Sequence, residues 1–170
     1  KRPTLEKTVK FSLQISEAVW YLHQNRIMHR DLKPENVFMS SDYNSVHLGD
    51  FGFKRDMERS SAHTVLGSVS YLAPEVAGQQ KYSWKADIYS LGCVMYEIAT
   101  LDLGVHHNFQ ALSKQELYFK DIENHLITAH KNEQLAKLIV RMLQIKPEDR
   151  PTAEEVVTEL RTILSLLSQQ

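Results

Sequence analysis

Apolar and polar residues follow two different periods along this chain. Between Leu5 and Gln24, the residues Phe11, Ile15, Ala18 and Leu22 recur at four- and three-residue steps, and Val9, Leu13 and Trp20 widen the stripe. That spacing predicts one amphipathic helix, ended near Asn25. The period then shortens. Val37-Phe38-Met39 and Val46-His47-Leu48 read as short strands around the turn-rich stretch Ser40-Ser41-Asp42-Tyr43-Asn44-Ser45, which predicts a β-hairpin. From Trp84 to Thr100, behind a capping candidate at Ser83, the sequence is apolar nearly all round, so this helix belongs at the centre of the domain. Ser113-Lys114-Gln115-Glu116 has capping-box spacing and predicts a short helix from Lys114 to about Glu123. Leu135, Leu138, Ile139, Met142 and Leu143 mark a further helix, with Pro147 just beyond its end. A second capping box, Thr152-Ala153-Glu154-Glu155, opens a last helix that buries Val156, Leu160, Ile163, Leu164 and Leu167. The expected class is α+β, mostly α-helical, with a short hairpin, in one domain or a large part of one over residues 1–170.

Composition narrows the role. The chain has 42% apolar residues, enough for a core, and a net charge of −1, which gives no reason to expect nucleic acid or an anionic membrane as partner. Cys93 is the single cysteine and cannot form an internal disulfide, which fits a reducing compartment. No apolar run reaches membrane-spanning length, and Lys1-Arg2-Pro3-Thr4 does not open a signal peptide. The expected location is intracellular and cytoplasmic, with the nucleus as the alternative. His106, His107, His125 and His130 lack zinc spacing and read as solvated or packing residues.

The chemistry concentrates between the first helix and the hairpin. His29-Arg30-Asp31-Leu32-Lys33-Pro34-Glu35-Asn36 has the spacing of a catalytic loop for phosphoryl transfer. Asp31 can accept a proton from an attacking hydroxyl, Lys33 can neutralise phosphate charge, and Asn36 can hold a metal ion. The hairpin would return Asp50 beside Asn36, and two oxygen ligands suit Mg²⁺, which keeps its other positions for phosphate and water. Asp50-Phe51-Gly52 stands where a second metal ligand is expected. A polar stretch from Phe53 to Leu66 follows, then Ala73-Pro74-Glu75, and the hydroxyl acceptors between them lie where an activation-loop phosphosite belongs. Asp87, near the start of the central helix, has two readings. One is a buried carboxylate bonded to catalytic-loop N–H groups; the other is a first-turn acid favoured by the helix dipole.

These motifs, in this order, resemble the eukaryotic protein kinase family over nearly the whole chain. Lys33 after His29-Arg30-Asp31-Leu32 is similar to the serine/threonine branch. Asn36-Val37-Phe38, Leu48-Gly49-Asp50-Phe51-Gly52, Thr64-Val65-Leu66-Gly67 and Lys85-Ala86-Asp87-Ile88 resemble the NIMA-related (NEK) kinases. The resemblance implies the helical C-terminal lobe of such a domain, with ATP and Mg²⁺ as cofactors and a protein Ser or Thr as acceptor. Asp31 would be the base and Lys33 the phosphate contact. Asn36 and Asp50 would be the Mg²⁺ ligands, and Phe38 the floor beneath adenine. Ser68 stands where the family usually has Thr, and its hydroxyl can still bond Asp31 and Lys33. Glu75 and Arg150 match the family's buried ion pair, and Arg30 matches the receiver of an activation-loop phosphate. Thr64 is the expected phosphosite for an upstream activating kinase, with Ser60 and Ser61 behind it. Val69 departs from a common Pro, and Leu72-Ala73 from the Met-Ser usual in NEK kinases.

One departure bears on activity. The sequence contains no G-x-G-x-x-G loop, no V-A-I-K lysine and no helix glutamate to pair with it. Those parts clamp the ATP phosphates in this family, and catalysis here is mostly positioning. The expectation is a serine/threonine kinase lobe that is inactive as 170 residues alone. Two alternatives stand beside it: a non-catalytic kinase-like binding lobe, and a small-molecule phosphotransferase of related fold. The latter lacks a long activation segment closed by Ala73-Pro74-Glu75.

Overall fold

In the computed structural model, described over residues 2–49, 71–102 and 115–169, the first helix forms where the apolar stripe predicts it. Helix α1 runs Leu5–Gln24, with the Thr4 side chain accepting from the Lys7 N–H at its start. Its buried face includes Phe11, Ile15 and Leu22, together with Val9 and Val19. The chain then crosses the catalytic-loop sequence, makes one 3₁₀ turn at Pro34–Asn36, and enters strands β1 (Val37–Met39) and β2 (Val46–Leu48). The two strands pair antiparallel with Val37 opposite Leu48, Phe38 opposite His47 and Met39 opposite Val46. Gln14 fixes the hairpin to α1 by accepting the Val46 N–H at 3.0 Å.

A single-turn helix α2 (Pro74–Ala77) leads into α3 (Trp84–Thr100), the centre of the domain. Thirteen consecutive residues of α3, Ala86 through Ile98, contain only one that is not buried, because α1 and the helices Gln115–His130 and Glu133–Met142 surround it. Ser83 occupies the N-cap position but makes no side-chain cap, so this helix is started by packing and not by a local signal. Cys93 lies mid-helix and fully buried, and burial pushes its thiol far above the ordinary value.

Helix α4 (Gln115–His130) extends about two turns past the expected end near Glu123. Ile122 and Leu126 are buried against its neighbours, and the His125 ring bonds the Tyr96 hydroxyl at 2.7 Å. His130 meets the Ala99 carbonyl at 2.8 Å, so both histidines pack, as their lack of metal spacing suggested. His106, His107 and the capping residue Ser113 lie outside the described residues. Asn132 caps α5 (Glu133–Met142) through its side chain. Thr152 and Glu155 form the expected reciprocal capping box on α6 (Ala153–Leu167), which lies along α1. The architecture is a helical lobe carrying one short hairpin at its edge, in agreement with the expected class. Among the described residues no helix is long and apolar enough to cross a membrane.

Candidate active site

The loop between α1 and the hairpin is shaped from below by Asp87. Its carboxylate is fully buried at the start of α3. Oδ2 accepts the His29 N–H and Oδ1 the Arg30 N–H, both at 2.9 Å. Tyr82 donates its hydroxyl to Oδ1 at 2.7 Å, and His23 Nε2 lies 2.9 Å from Oδ2. Burial pushes this carboxyl up, yet the bonds from His23, Tyr82 and the Arg30 and His29 backbone outweigh it and hold it below its ordinary value of 3.8. Burial and the neighbouring Asp87 charge keep the Tyr82 phenol well above its usual range, so it remains a donor. Of the two readings of Asp87, the loop-binding one holds.

Those bonds matter because Arg30 has φ 67°, in the left-handed region that a residue with a Cβ occupies only under constraint. Asp87 grips the N–H groups of Arg30 and of the residue before it, and so fixes the strained turn. His29 adds a second constraint. Its buried ring lies with Nε2 3.2 Å from the Gly49 carbonyl and accepts the Asp31 N–H at Nδ1, 3.3 Å away. These partners assign the neutral ring with the proton on Nε2. One imidazole thus ties the loop to the end of β2.

The candidate side chains follow on this support. Lys33 Nζ lies 3.1 Å from Asp31 Oδ2. Asn36 donates its amide nitrogen to the Asp31 carbonyl at 2.7 Å and to Asp31 Oδ2 at 3.2 Å. Asn36 is buried, and with its nitrogen engaged twice its amide oxygen is the atom left for a hard cation. The donor chemistry therefore fits Mg²⁺ on this side. The hairpin returns the chain as far as Gly49, which donates its N–H to the Asn36 carbonyl at 2.9 Å. Asp50, Ser68 and Thr64, with Ser60 and Ser61, lie outside the described residues.

Phe38 is 55% exposed on β1, with its ring against Gly49. A Cβ at Gly49 would come within 2.5 Å of that ring, so a larger residue there would have to displace it.

Behind this cluster sits the ion pair expected from the resemblance. Arg150 Nη1 and Nη2 meet Glu75 Oε1 and Oε2, each at 2.8 Å, in a bidentate fork. The remaining donors reach the carbonyls of Gln144, Lys85 and Ile145 at 2.7, 2.8 and 3.0 Å. The guanidinium lies over the Tyr89 ring, 5.0 Å from its centroid.

Sequence reasoning did not single out His23 or Tyr82, which complete the Asp87 cluster. Neither stands in a motif: His23 closes an otherwise ordinary helix, and Tyr82 sits five residues before its partner.

The protein kinase domain family model matches residues 2–160. The chain is 36% identical over 157 residues to the serine/threonine-protein kinase Nek4 of Mus musculus, covering 90% of this chain and 19% of that protein. It is 41% identical over 152 residues to the probable serine/threonine-protein kinase nek3 of Dictyostelium discoideum, covering 85% and 13%. To Nek5 of Homo sapiens it is 36% identical over 149 residues, covering 85% and 20%. It thus spans a fifth or less of each of these relatives. With the loop, hairpin and buried ion pair in place, the match over nearly the whole length shows that the chain belongs to the protein kinase family and is NEK-like within its serine/threonine branch.

Proposed function

We propose that this chain supplies the catalytic lower lobe of a serine/threonine protein kinase, which transfers the terminal phosphate of ATP to a protein hydroxyl. The single observation that carries this reading is the arrangement at the loop: the Asp31 carboxylate with Lys33 Nζ at 3.1 Å and the Asn36 amide at 3.2 Å. Asp31 takes the proton from the acceptor hydroxyl. Lys33, already beside it, sets a positive charge where phosphate charge develops. Asn36 offers its amide oxygen to Mg²⁺, and Asp50, next to Gly49 in sequence, is its partner ligand in this reading. When bound, Mg²⁺ neutralises the phosphate oxygens. Phe38 offers an exposed ring for adenine, and Ser68 a hydroxyl for Asp31 and Lys33. Thr64 is the activating phosphosite in this reading, and the exposed Arg30 the receiver of its phosphate. The setting is the cytoplasm, and the acceptor a Ser- or Thr-bearing protein.

The lobe holds phosphate chemistry but not the phosphate clamp, whose sequence signatures it lacks. The 170 residues alone are therefore expected to show no transfer, and joining them to an upper kinase lobe restores it. The test is a phosphate-transfer assay with Mg·ATP and a Ser-containing protein, run on the chain alone, on the joined protein and on its Asp31→Asn variant. The variant should lose about 10²–10⁴-fold in turnover. A joined, folded protein whose activity survives Asp31→Asn would remove Asp31 from the reaction.

A further inference from the structure

A cleft of 370 Å³ opens where the end of α1 meets the starts of α3 and α6. The chain has two tryptophans, Trp20 and Trp84, and both line this cleft. Ile88 adds to the apolar wall. Trp84 is 39% exposed, a large apolar surface left to water. The charges at the rim are unequal in availability. The Lys85 ammonium is turned to the Arg150 carbonyl. Glu154 is exposed, and its carboxylate makes no hydrogen bond or ion pair among the described residues. Lys85 keeps its charge but is engaged, so the rim's unengaged ionic group is the Glu154 carboxylate.

The cleft also touches the catalytic machinery. His23 lines it, with its ring edge-on to Trp84 at 5.1 Å. The same ring meets Asp87 Oδ2, the oxygen that holds the His29 N–H. One side chain therefore separates an open apolar cleft from the carboxylate that shapes the loop.

We propose that this cleft docks a partner peptide, which seats one apolar or aromatic side chain against the two indoles and sets a neighbouring Lys or Arg against Glu154, and that occupancy is felt at the catalytic loop through His23. The size suits one or two side chains, being near the lower end of ligand pockets. Buried indole surface is the usual anchor of such contacts, and a rim charge selects the partner's sign. The coupling half rests on reading residues 29–36 as a catalytic loop; the docking half does not.

The two tryptophans make the test direct, because selectively excited tryptophan fluorescence of the 170-residue chain comes from residues that line this cleft. The probes are capped ten-residue peptides with one Phe or Leu and an Arg one to four residues away; matched controls carry Glu in place of Arg. Saturable spectral shifts are expected, with the best Arg peptide about three- to fivefold tighter than its Glu control. Glu154→Gln should level that preference and Glu154→Lys reverse it. Amide exchange at His29 and Arg30, followed on saturation, should change, while exchange across α5 stays constant. Equal binding of Arg and Glu peptides, or no saturable shift, overturns the docking site. A shift produced by raising protein concentration alone identifies a second copy as the occupant and overturns the peptide. Binding that leaves His29 and Arg30 exchange unaltered overturns the coupling, whatever the transfer assay shows.

Discussion

Glu75 and Asp87 are both buried carboxylates, yet they are stabilised by different means. Glu75 faces a guanidinium that neutralises it outright, with every other donor of Arg150 on a backbone carbonyl. Among the described residues no Lys or Arg side chain bonds Asp87. Its charge is held by two backbone N–H groups, a phenol and an imidazole. The first arrangement joins segments 75 residues apart and depends little on the shape of either. The second works only when the loop at His29 and Arg30 adopts one shape, because the loop's own N–H groups are among the donors. A full counter-charge gives a tie; a set of dipoles gives a template.

Removing one side of the tie should have the largest effect on stability. Glu75→Ala leaves a buried guanidinium without its counter-ion, which typically costs about 3–5 kcal/mol. The three carbonyls that remain on Arg150 place the expected loss near the lower figure. Thermal melts measure it, and an unchanged midpoint would deny the pair its structural role.

Asp87→Asn comes next and tests the template. The amide keeps the shape but loses the charge and must present an N–H to two donors. A loss of about 2 kcal/mol is expected, the scale of hydrogen bonds to charged groups. In the joined kinase, transfer should fall much further than stability, since Arg30 loses its restraint. The pH dependence follows from the lowered Asp87 carboxyl. Its folded value lies below the unfolded one, so its contribution is present above pH 3.8 and is lost as pH falls through the lower folded value. Denaturant melts from pH 6 to pH 2.5 should show a steeper acid decline in the native chain than in Asp87→Asn. Parallel declines would mean that another group carries it.

A smaller change is expected for His23→Leu, which removes one of four donors: about 1 kcal/mol, with faster amide exchange at Arg30 than at α5 positions. Exchange that accelerates equally everywhere would make His23 a packing residue. Smallest of all, Lys137→Ala breaks an exposed pair with Glu133 one helical turn away and should shift stability by about 0.3 kcal/mol. It calibrates the others, and a large shift there would show that the melts are reading something besides these contacts.

How far the sequence could be read depended on how local each signal was. The bounds of α1, the hairpin and α3 follow from residues a few positions apart, and periodicity marked them. The candidate trio Asp31, Lys33 and Asn36 is equally local, lying within six residues of one loop. The lower half of α4 was not legible, because Ile122 and Leu126 stand among Asp121, Glu123, Asn124 and His125. Only α3 and α5 reveal which face is buried. Glu75 and Arg150 gave no local sign of each other and were paired through the family resemblance. His23 and Tyr82 were invisible for the same reason without that help, since what selects them is the buried charge of Asp87, a property of the folded chain. The expectation for Ser83 failed differently: the residue type was right for a cap, but buried packing had already fixed the helix start.

The burial of Cys93 has a chemical consequence. A thiol so enclosed, and kept protonated by that enclosure, cannot react with an alkylating reagent from the folded state. It becomes nucleophilic only when α3 leaves its neighbours, an event that takes the centre of the domain apart. As the chain carries no other cysteine, the rate at which a thiol dye labels it counts those openings one molecule at a time. The native protein thus contains its own clock for global unfolding, readable without denaturant and without any engineered probe.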